Sequence, residues 1–314
     1  MDNLSTLVEQ LHSQVRRRRF SKLLKSPGFK SRSHRHFHFD IINLFMDAYV
    51  AASETDMSNL VRQLNVEDEI ERRILIEAAF ASVATQDLIK PGEQSRIDIL
   101  RASLPDSPVL VYQGLGGAFA TTDLESSTLW TLKQNFFGWM ALDCFGFHKG
   151  YFEWATTIDR MAVPANLDTM ARYAFDCGVG RALWLIADGE PRVVKELVSR
   201  FAPDRRAALW SGIGLYTGFV GARDHNDLKK LRKLAGADLC HLQEGIGLAA
   251  FILNDAKQTL AHTKGASEII CGATLTDVLQ LASDQLALNS TGDITAENFY
   301  NWKRNMNRFY SRNR

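Results

Sequence analysis

A chain of 314 residues that is 46 % hydrophobic, with seven prolines and a formal net charge of +1, has the make-up of a folded soluble protein. It holds no uninterrupted apolar stretch long enough to span a bilayer, which excludes a transmembrane anchor built on one segment. The near-neutral total hides a division: residues 1–38 carry +7, residues 303–314 carry +5, and the remainder carries −11.

Residues 4–14 read as a short amphipathic helix leading into the run Arg16-Arg17-Arg18-Arg19-Phe20. No apolar core precedes a cleavage site, so the expected location is the cytoplasm. The stretch from Ser21 to Asp40 is rich in Ser, Lys, His and Arg and contains Pro27-Gly28, so it reads as a tether. Residues 1–40 are therefore expected to form a basic N-terminal arm. The segment Arg16 to Arg35, with Phe20, Leu23, Leu24 and Phe29, combines charge with apolar grip, which points to weak, salt-sensitive contact with an anionic membrane, peripheral to the inner membrane. Specific nucleic-acid binding is not expected, because the acidic body repels phosphate. The alternation His34-x-His36-x-His38 lacks a turn and a fourth ligand, so no metal is expected there.

From Ile41 to the C-terminus the pattern is helical, and residues 41–314 are expected to form a single helical-repeat domain. Ile41, Leu44, Phe45 and Ala48 recur at helical spacing, as do Ile70, Ile74, Ala78 and Ala81 before Pro91. Val109-Leu110-Val111-Tyr112 looks extended and is followed by Gly114, the layout of a dinucleotide-binding turn. The fingerprint fails because Phe119 stands at the third glycine position and no acid ends a second strand about 20 residues on. No Walker loop, zinc-protease helix or nucleophile elbow is present, so no cofactor is expected.

A glycine cluster followed by an apolar run recurs at Gly114, Gly146, Gly178, Gly212 and Gly245, with gaps of 32, 32, 34 and 33 residues. That period is the length of a helical hairpin. It predicts an all-α fold built as an array of roughly 33-residue helical hairpins, an α-solenoid or an α/α-toroid. Glycine inside a helix costs about 1 kcal/mol relative to alanine. Two per repeat make sense where two backbones must approach closely or where a ligand lies against the helix, and a ligand cannot touch five separate units equally. The glycine helix of the third copy should span about Arg172 to Ala187, and its partner should carry Val193, Val194, Leu197, Val198 and Phe201 before Pro203. The next pair follows as Leu209 to Val220, then Leu228, Leu231 and Leu234, with Thr274 and Thr295 as N-caps of two closing helices. Cys144, Cys177, Cys240 and Cys271 fall near the repeat glycines with no C-x-x-C spacing, which suits small buried residues at tight contacts.

The densest candidate chemistry is W-M-A-L-D-C-F-G-F-H-K-G-Y-F from Trp139 to Phe152. Asp143 and His148 are five apart, within reach across a distorted turn, and an acid beside a histidine in apolar surroundings suits proton transfer. The plain alternative is a buried pair that fixes one helical turn. Glu77 is a supporting acid, and Arg181 with Glu77 or Asp143 would form a buried ion network or bind an acidic ligand. Gln113, Arg181, Gln243 and Glu244 are polar where the repeats are otherwise apolar, and Trp184 with Trp210 would give a flat wall, so these six are the candidate substrate-binding residues.

The succession E-A-A-F-A from Glu77, Q-G-L-G-G-A-F-A from Gln113, L-D-C-F-G-F-H-K-G-Y-F from Leu142, G-V-G-R-A-L-W-L from Gly178, L-W-S-G-I-G-L-Y from Leu209 and I-I-C-G-A from Ile269 resembles the UnbL-like family, a domain of unknown function encoded in enediyne polyketide gene clusters among others. Where that family reads E-G-A-A-M, this chain has Glu77-Ala78-Ala79-Phe80. The resemblance implies a bacterial specialised-metabolite setting and carries no established catalytic residues. The leading expectation is an accessory or tailoring protein that acts on or binds a small hydrophobic intermediate without a cofactor. The competing one is a non-catalytic helical adaptor that binds a protein of the pathway.

Overall fold

The computed structural model describes residues 37–106, 108–122, 137–165, 167–255, 261–287 and 296–312. These are all-α, and no described helix is long and apolar enough to cross a membrane. They fall into two compact units, Met1–Glu125 and Ser126–Arg314. The expected arm as far as residue 36, with its histidines 34 and 36, and the cap at Thr295 lie outside the described residues, as does the side chain of His38; the last residues assigned to the arm, 37–40, are helical.

The first unit contains α1 (Phe37–Glu54), α2 (Met57–Gln63), α3 (Glu69–Ile89), α4 (Arg96–Ser103) and α5 (Pro108–Thr122). Aspartate and serine caps open three of them: Asp56, Asp68 and Ser95 accept the backbone N–H of Asn59, Glu71 and Asp98. Helix α3 packs against α1, α4 and α5. Its Ile76, Ala79, Phe80 and Val83 join Ala52, Leu60, Leu100, Leu110 and Val111 in one apolar core. Val109–Tyr112, which looked extended, is the first turn of α5. The β-branched residues are there because both α5 and the core behind it are apolar, and burial outweighs their preference for strand.

The second unit holds four of the five glycine copies; the first, at Gly114 on α5, belongs to the first unit, where a Cβ on it would meet Phe80 of α3. The glycine helices of the second unit are α6 (Gly138–Phe152), α7 (Thr169–Ile186), α9 (Pro203–Val220) and α11 (Leu239–Asp255), and they pack α6 on α7, α7 on α9, α9 on α11. Between them α8 (Pro191–Ser199) and α10 (His225–Ala235) run back and pack on each other. The two classes differ in sequence for a physical reason. The glycine helices are buried on nearly all sides through their middle turns, whereas α8 and α10 bury only one stripe, Val194 and Val198 or Leu228 and Leu231.

The paired glycines explain the stacking. In G-x-G the two glycines are about 200° apart on a helix, so each faces a different neighbour. A Cβ on Gly178 would overlap the carbonyl oxygen of Asp143 on α6, and one on Gly180 would overlap that of Leu209 on α9. Gly212 and Gly214 repeat the plan, against Cys177 on α7 and Leu242 on α11. Contacts advance together along both chains, Gly146 with Phe175 and Gly150 with Val179 and Ala182, so neighbouring glycine helices are parallel. At Gly247 the ladder stops, because a Cβ there would meet Met306 instead, 2.7 Å away.

Met306 belongs to α14 (Ala296–Arg312), which packs on α11 and on α13 (Leu275–Ala287). The short helix α12 (Ala261–Ala266) continues into a π-helical turn, Ser267–Cys271, and Gly272 ends it in the left-handed region at φ 71°. Thr274 then caps α13 as expected, exchanging bonds with Asp277: Asp277 N–H donates to Thr274 Oγ1 at 3.1 Å and Thr274 N–H to the Asp277 carboxylate, also at 3.1 Å.

Candidate functional site

Helix α6 runs without a break from Gly138 to Phe152, so there is no distorted turn to bring Asp143 and His148 together. Five residues apart they sit about 140° from each other on the helix. Asp143, with none of its surface exposed, accepts a 2.5 Å bond from Arg181 Nη1 across the α6–α7 contact. The guanidinium of Arg181 also lies over the rings of Phe147 and Tyr216, at 4.8 and 5.4 Å. Burial pushes the Asp143 carboxyl above the ordinary carboxylate range, while Arg181 and, beyond it, Lys303 pull it back. His148 is buried against the rings of Phe147 and Phe152. The acid of the anticipated acid–histidine pair thus belongs to the buried ion pair with Arg181 that the sequence also offered.

Glu77 and Gln113 belong to the first unit, on α3 and α5. Gln113 is buried and accepts a 3.4 Å bond from Arg73, and Glu77 is half-buried. The remaining candidates belong to the second unit. Trp184 donates to the Gly221 carbonyl at 3.3 Å, and Trp210 is buried with Lys195 5.7 Å from its ring. Gln243 donates to the carbonyl of Ile270 at 3.1 Å. None of these three borders the cavity of the second unit; they are core.

Glu244 does border it. The Lys303 ammonium, 2 % exposed, reaches Glu244 at 2.9 Å and Ser211 Oγ at 2.8 Å, with the sulfur of Cys177 3.7 Å away. Cys177, Ser211 and Glu244 each stand immediately before the first glycine of their repeat, on α7, α9 and α11. Because those helices are parallel and in register, three equivalent positions converge on one lysine of α14. The rings of Trp139, Tyr173 and Phe299 enclose it at 5.3, 5.4 and 5.8 Å. Burial alone would lower the lysine, but Cys177, Glu244 and Asp143 outweigh it and hold the proton above the ordinary lysine range. Burial moves Tyr173 the other way in function: its hydroxyl is pushed well above the usual phenol range, with Glu244 and Cys177 adding to it.

Above this buried group opens a cavity of about 690 Å³. Its lining comes from the N-terminal turns of three parallel helices, namely Thr169, Arg172, Tyr173 and Asp176 of α7, Asp204, Arg205, Ala207 and Ala208 of α9, and His241 and Glu244 of α11. One face of α14 closes it with Tyr300, Lys303, Arg304, Asn307 and Arg308. Those five recur at i, i+3, i+4, i+7 and i+8. On the wall, Arg205 grips Asp176 through Nε at 3.0 Å and Nη2 at 2.5 Å, and its Nη1 donates to the Met161 carbonyl at 2.7 Å. Asp176 is raised by burial and drawn down by Arg205. Among the described residues, no cluster of three His, Cys, Asp or Glu side chains is arranged to hold a metal.

Sequence reasoning found Glu244 but missed Lys303, Ser211, Tyr173 and the Asp176–Arg205 pair. A signal for Ser211 was present: the residues before the leading glycines of the last three copies run Cys177, Ser211, Glu244, three polar side chains on a common line. Lys303 was counted as part of a basic tail, since nothing local distinguishes a lysine that docks on an acid from one that meets water.

Cys177 gives a direct check on how closed this group is. Burial pushes its thiol up to about 12 against the pull of Lys303. Native protein treated with iodoacetamide at pH 8 is expected to leave the Cys177 peptide unmodified, and guanidinium-unfolded protein to alkylate it fully. Rapid native labelling would contradict the described packing.

A search of curated proteins and of solved structures finds no match to the chain. The sequence profile of one family covers residues 24–309, taking in α1, the glycine ladder and most of α14. The chain therefore belongs to the family described as "Protein of unknown function (DUF1702)".

Proposed function

We propose that this protein is an accessory or tailoring protein of bacterial specialised-metabolite biosynthesis, of the enediyne or polyene polyketide kind, and that it holds a small intermediate in the cavity of its second unit. The resemblance of its glycine-helix motifs to UnbL-like sequences supports the setting. The cavity supports the mode of action: about 690 Å³ lies in the range of small-molecule sites. Its floor is a preorganised ammonium whose protein partners are fixed on three separate helices. A fixed, largely desolvated ammonium–carboxylate pair presents an oriented dipole to a bound molecule, and it does so without solvent reorganisation. Glu244 beside the ammonium lines the cavity as its paired carboxylate, and Tyr173 offers a ring face and a tightly held proton. Asp143 and Arg181 serve this reading one layer deeper, as the charge pair that fixes α6 against α7.

Deletion of the gene in a producing strain, followed by metabolite profiling, tests the proposal. Accumulation of an intermediate is expected, restored by the wild-type gene but not by Ala207→Trp, which fills the cavity from the half-buried first turns of α9. The variant protein should melt like wild type. Full complementation by Ala207→Trp would remove the cavity from the function. Loss of yield with no accumulated intermediate is the result expected of the pathway adaptor instead.

A further inference from the structure

Not all the charges around the cavity are committed to protein partners. Arg205 spends its donors on Asp176 and the Met161 carbonyl, and Lys303 is occupied by Glu244 and Ser211. Arg172 and Asp204 meet only loosely, at 3.6 Å and with side chains 44 % and 68 % exposed, a pair that contributes little. On α14, Arg304 lies over the Tyr300 ring at 5.8 Å, and Arg308 makes a 3.4 Å bond to Asn305. Neither has a carboxylate partner among the described residues. With Asp176 and Glu244 already neutralised, the rim carries three arginines against the single exposed acid Asp204. The same space receives the N-terminal turns of α7, α9 and α11, whose dipoles favour negative charge. One of these helices opens without acidic help from a cap: Ala202 precedes α9 and makes no side-chain cap bond, whereas Asp168 caps α7.

Resting on the cavity reading above, we propose that the ligand is an amphipathic acid whose anionic head, a carboxylate or a phosphate, binds Arg172, Arg304 and Arg308. Its organic body then lies on the rings of Tyr300 and Tyr173 and on Ala207. Arginine suits this role because its planar fork offers two parallel donors to either anion. Head-group binding displaces Asp204 from Arg172, so the exposed aspartate acts as a weak competitor that the ligand replaces.

Calorimetric titration of the full chain with octanoate, octyl phosphate, octanol and octyltrimethylammonium tests this. The two anions are expected to bind, octanol at least about tenfold more weakly and the cation not at all, since a charge-assisted bond to arginine exceeds the energy of one decade. The stronger of the two anions identifies the head group. Arg304→Glu with Arg308→Glu, both exposed positions, should weaken the anions by about tenfold or more and leave the melting temperature of the free protein unchanged. Equal binding of octanol and octanoate, or full anion affinity in that double variant, overturns the anionic head while leaving a cavity that binds small molecules. Binding of no probe at all overturns the cavity reading together with it.

Discussion

Gly212→Val is expected to prevent the second unit from folding, so that the variant is recovered insoluble or shows no cooperative thermal transition by circular dichroism. The added Cβ alone overlaps the Cys177 carbonyl oxygen and stands within 2.6 Å of its carbon. Overpacking in a core costs about 1–3 kcal/mol where side chains can give way. Here the obstacle is backbone, and α9 is held on its other side by Gly214 against Leu242, so there is no direction in which to retreat. The loss should exceed about 4 kcal/mol, the range that marks a specific structural failure. Gly265→Ala in α12 is the control. Its nearest neighbour would be His225 Nε2 at 3.4 Å, at the edge of ordinary contact, and alanine favours helix by about 1 kcal/mol. A folded Gly212→Val protein with a normal transition would show that the glycine contacts do not set the helix spacing.

The second large effect concerns Asp143 and Arg181. Arg181→Met is expected to lower stability by about 3–5 kcal/mol, because it leaves Asp143 buried with its counter-charge removed. Asp143→Leu with Arg181→Met should regain most of that loss, since an apolar pair of similar volume avoids the desolvation of both charges. The single variant should also acquire a characteristic pH dependence. Its folded state holds a proton on Asp143 above the ordinary carboxylate value, whereas the unfolded state releases it at that value. More protons are therefore bound when folded, and stability falls as pH rises from about 4 towards neutrality. Urea melts of the wild type, both singles and the double at pH 4.5 and 7.5 would measure this. If the double variant is as unstable as Arg181→Met, the pair is not the source of the cost. If it is stable but fails to complement the gene deletion, Asp143 or Arg181 has a role in function beyond holding α6 to α7.

These two predictions also show what was legible in the sequence. The all-α character and the close backbone approach at the helical glycines followed from a period of 32–34 residues together with the cost of helical glycine, and both are geometric facts about one repeat. The boundaries of α7 and α8 were readable from Asp188-Gly189 and from Pro191 and Pro203, which break or open a helix for covalent reasons. Chemistry was harder. Asp143 and His148 were paired because they are near in sequence, but on a straight helix proximity at five residues means divergence. The ion network that the sequence also offered, Arg181 with Asp143, is the one the structure holds, 38 residues and about one repeat apart. Trp184 and Trp210 were read as a wall because they are aromatic, yet their position inside glycine helices buries them on all sides. The cavity itself was invisible, since it depends on where α14 docks, and no spacing within residues 296–312 records that.

The docking of α14 has a kinetic side. The contacts of the glycine ladder join residues about 30–35 positions apart, so each helix can find its neighbour as soon as one hairpin has closed. Lys303, in contrast, reaches back 92 residues to Ser211 and 126 to Cys177. Contacts of such span carry the larger loop-closure cost and form late. The cavity walls and floor therefore come into being only with the last long-range step. A ligand that bridges α14 to the ladder adds its binding energy to that step alone, so it slows the release of α14 and leaves the opening of the first hairpins untouched.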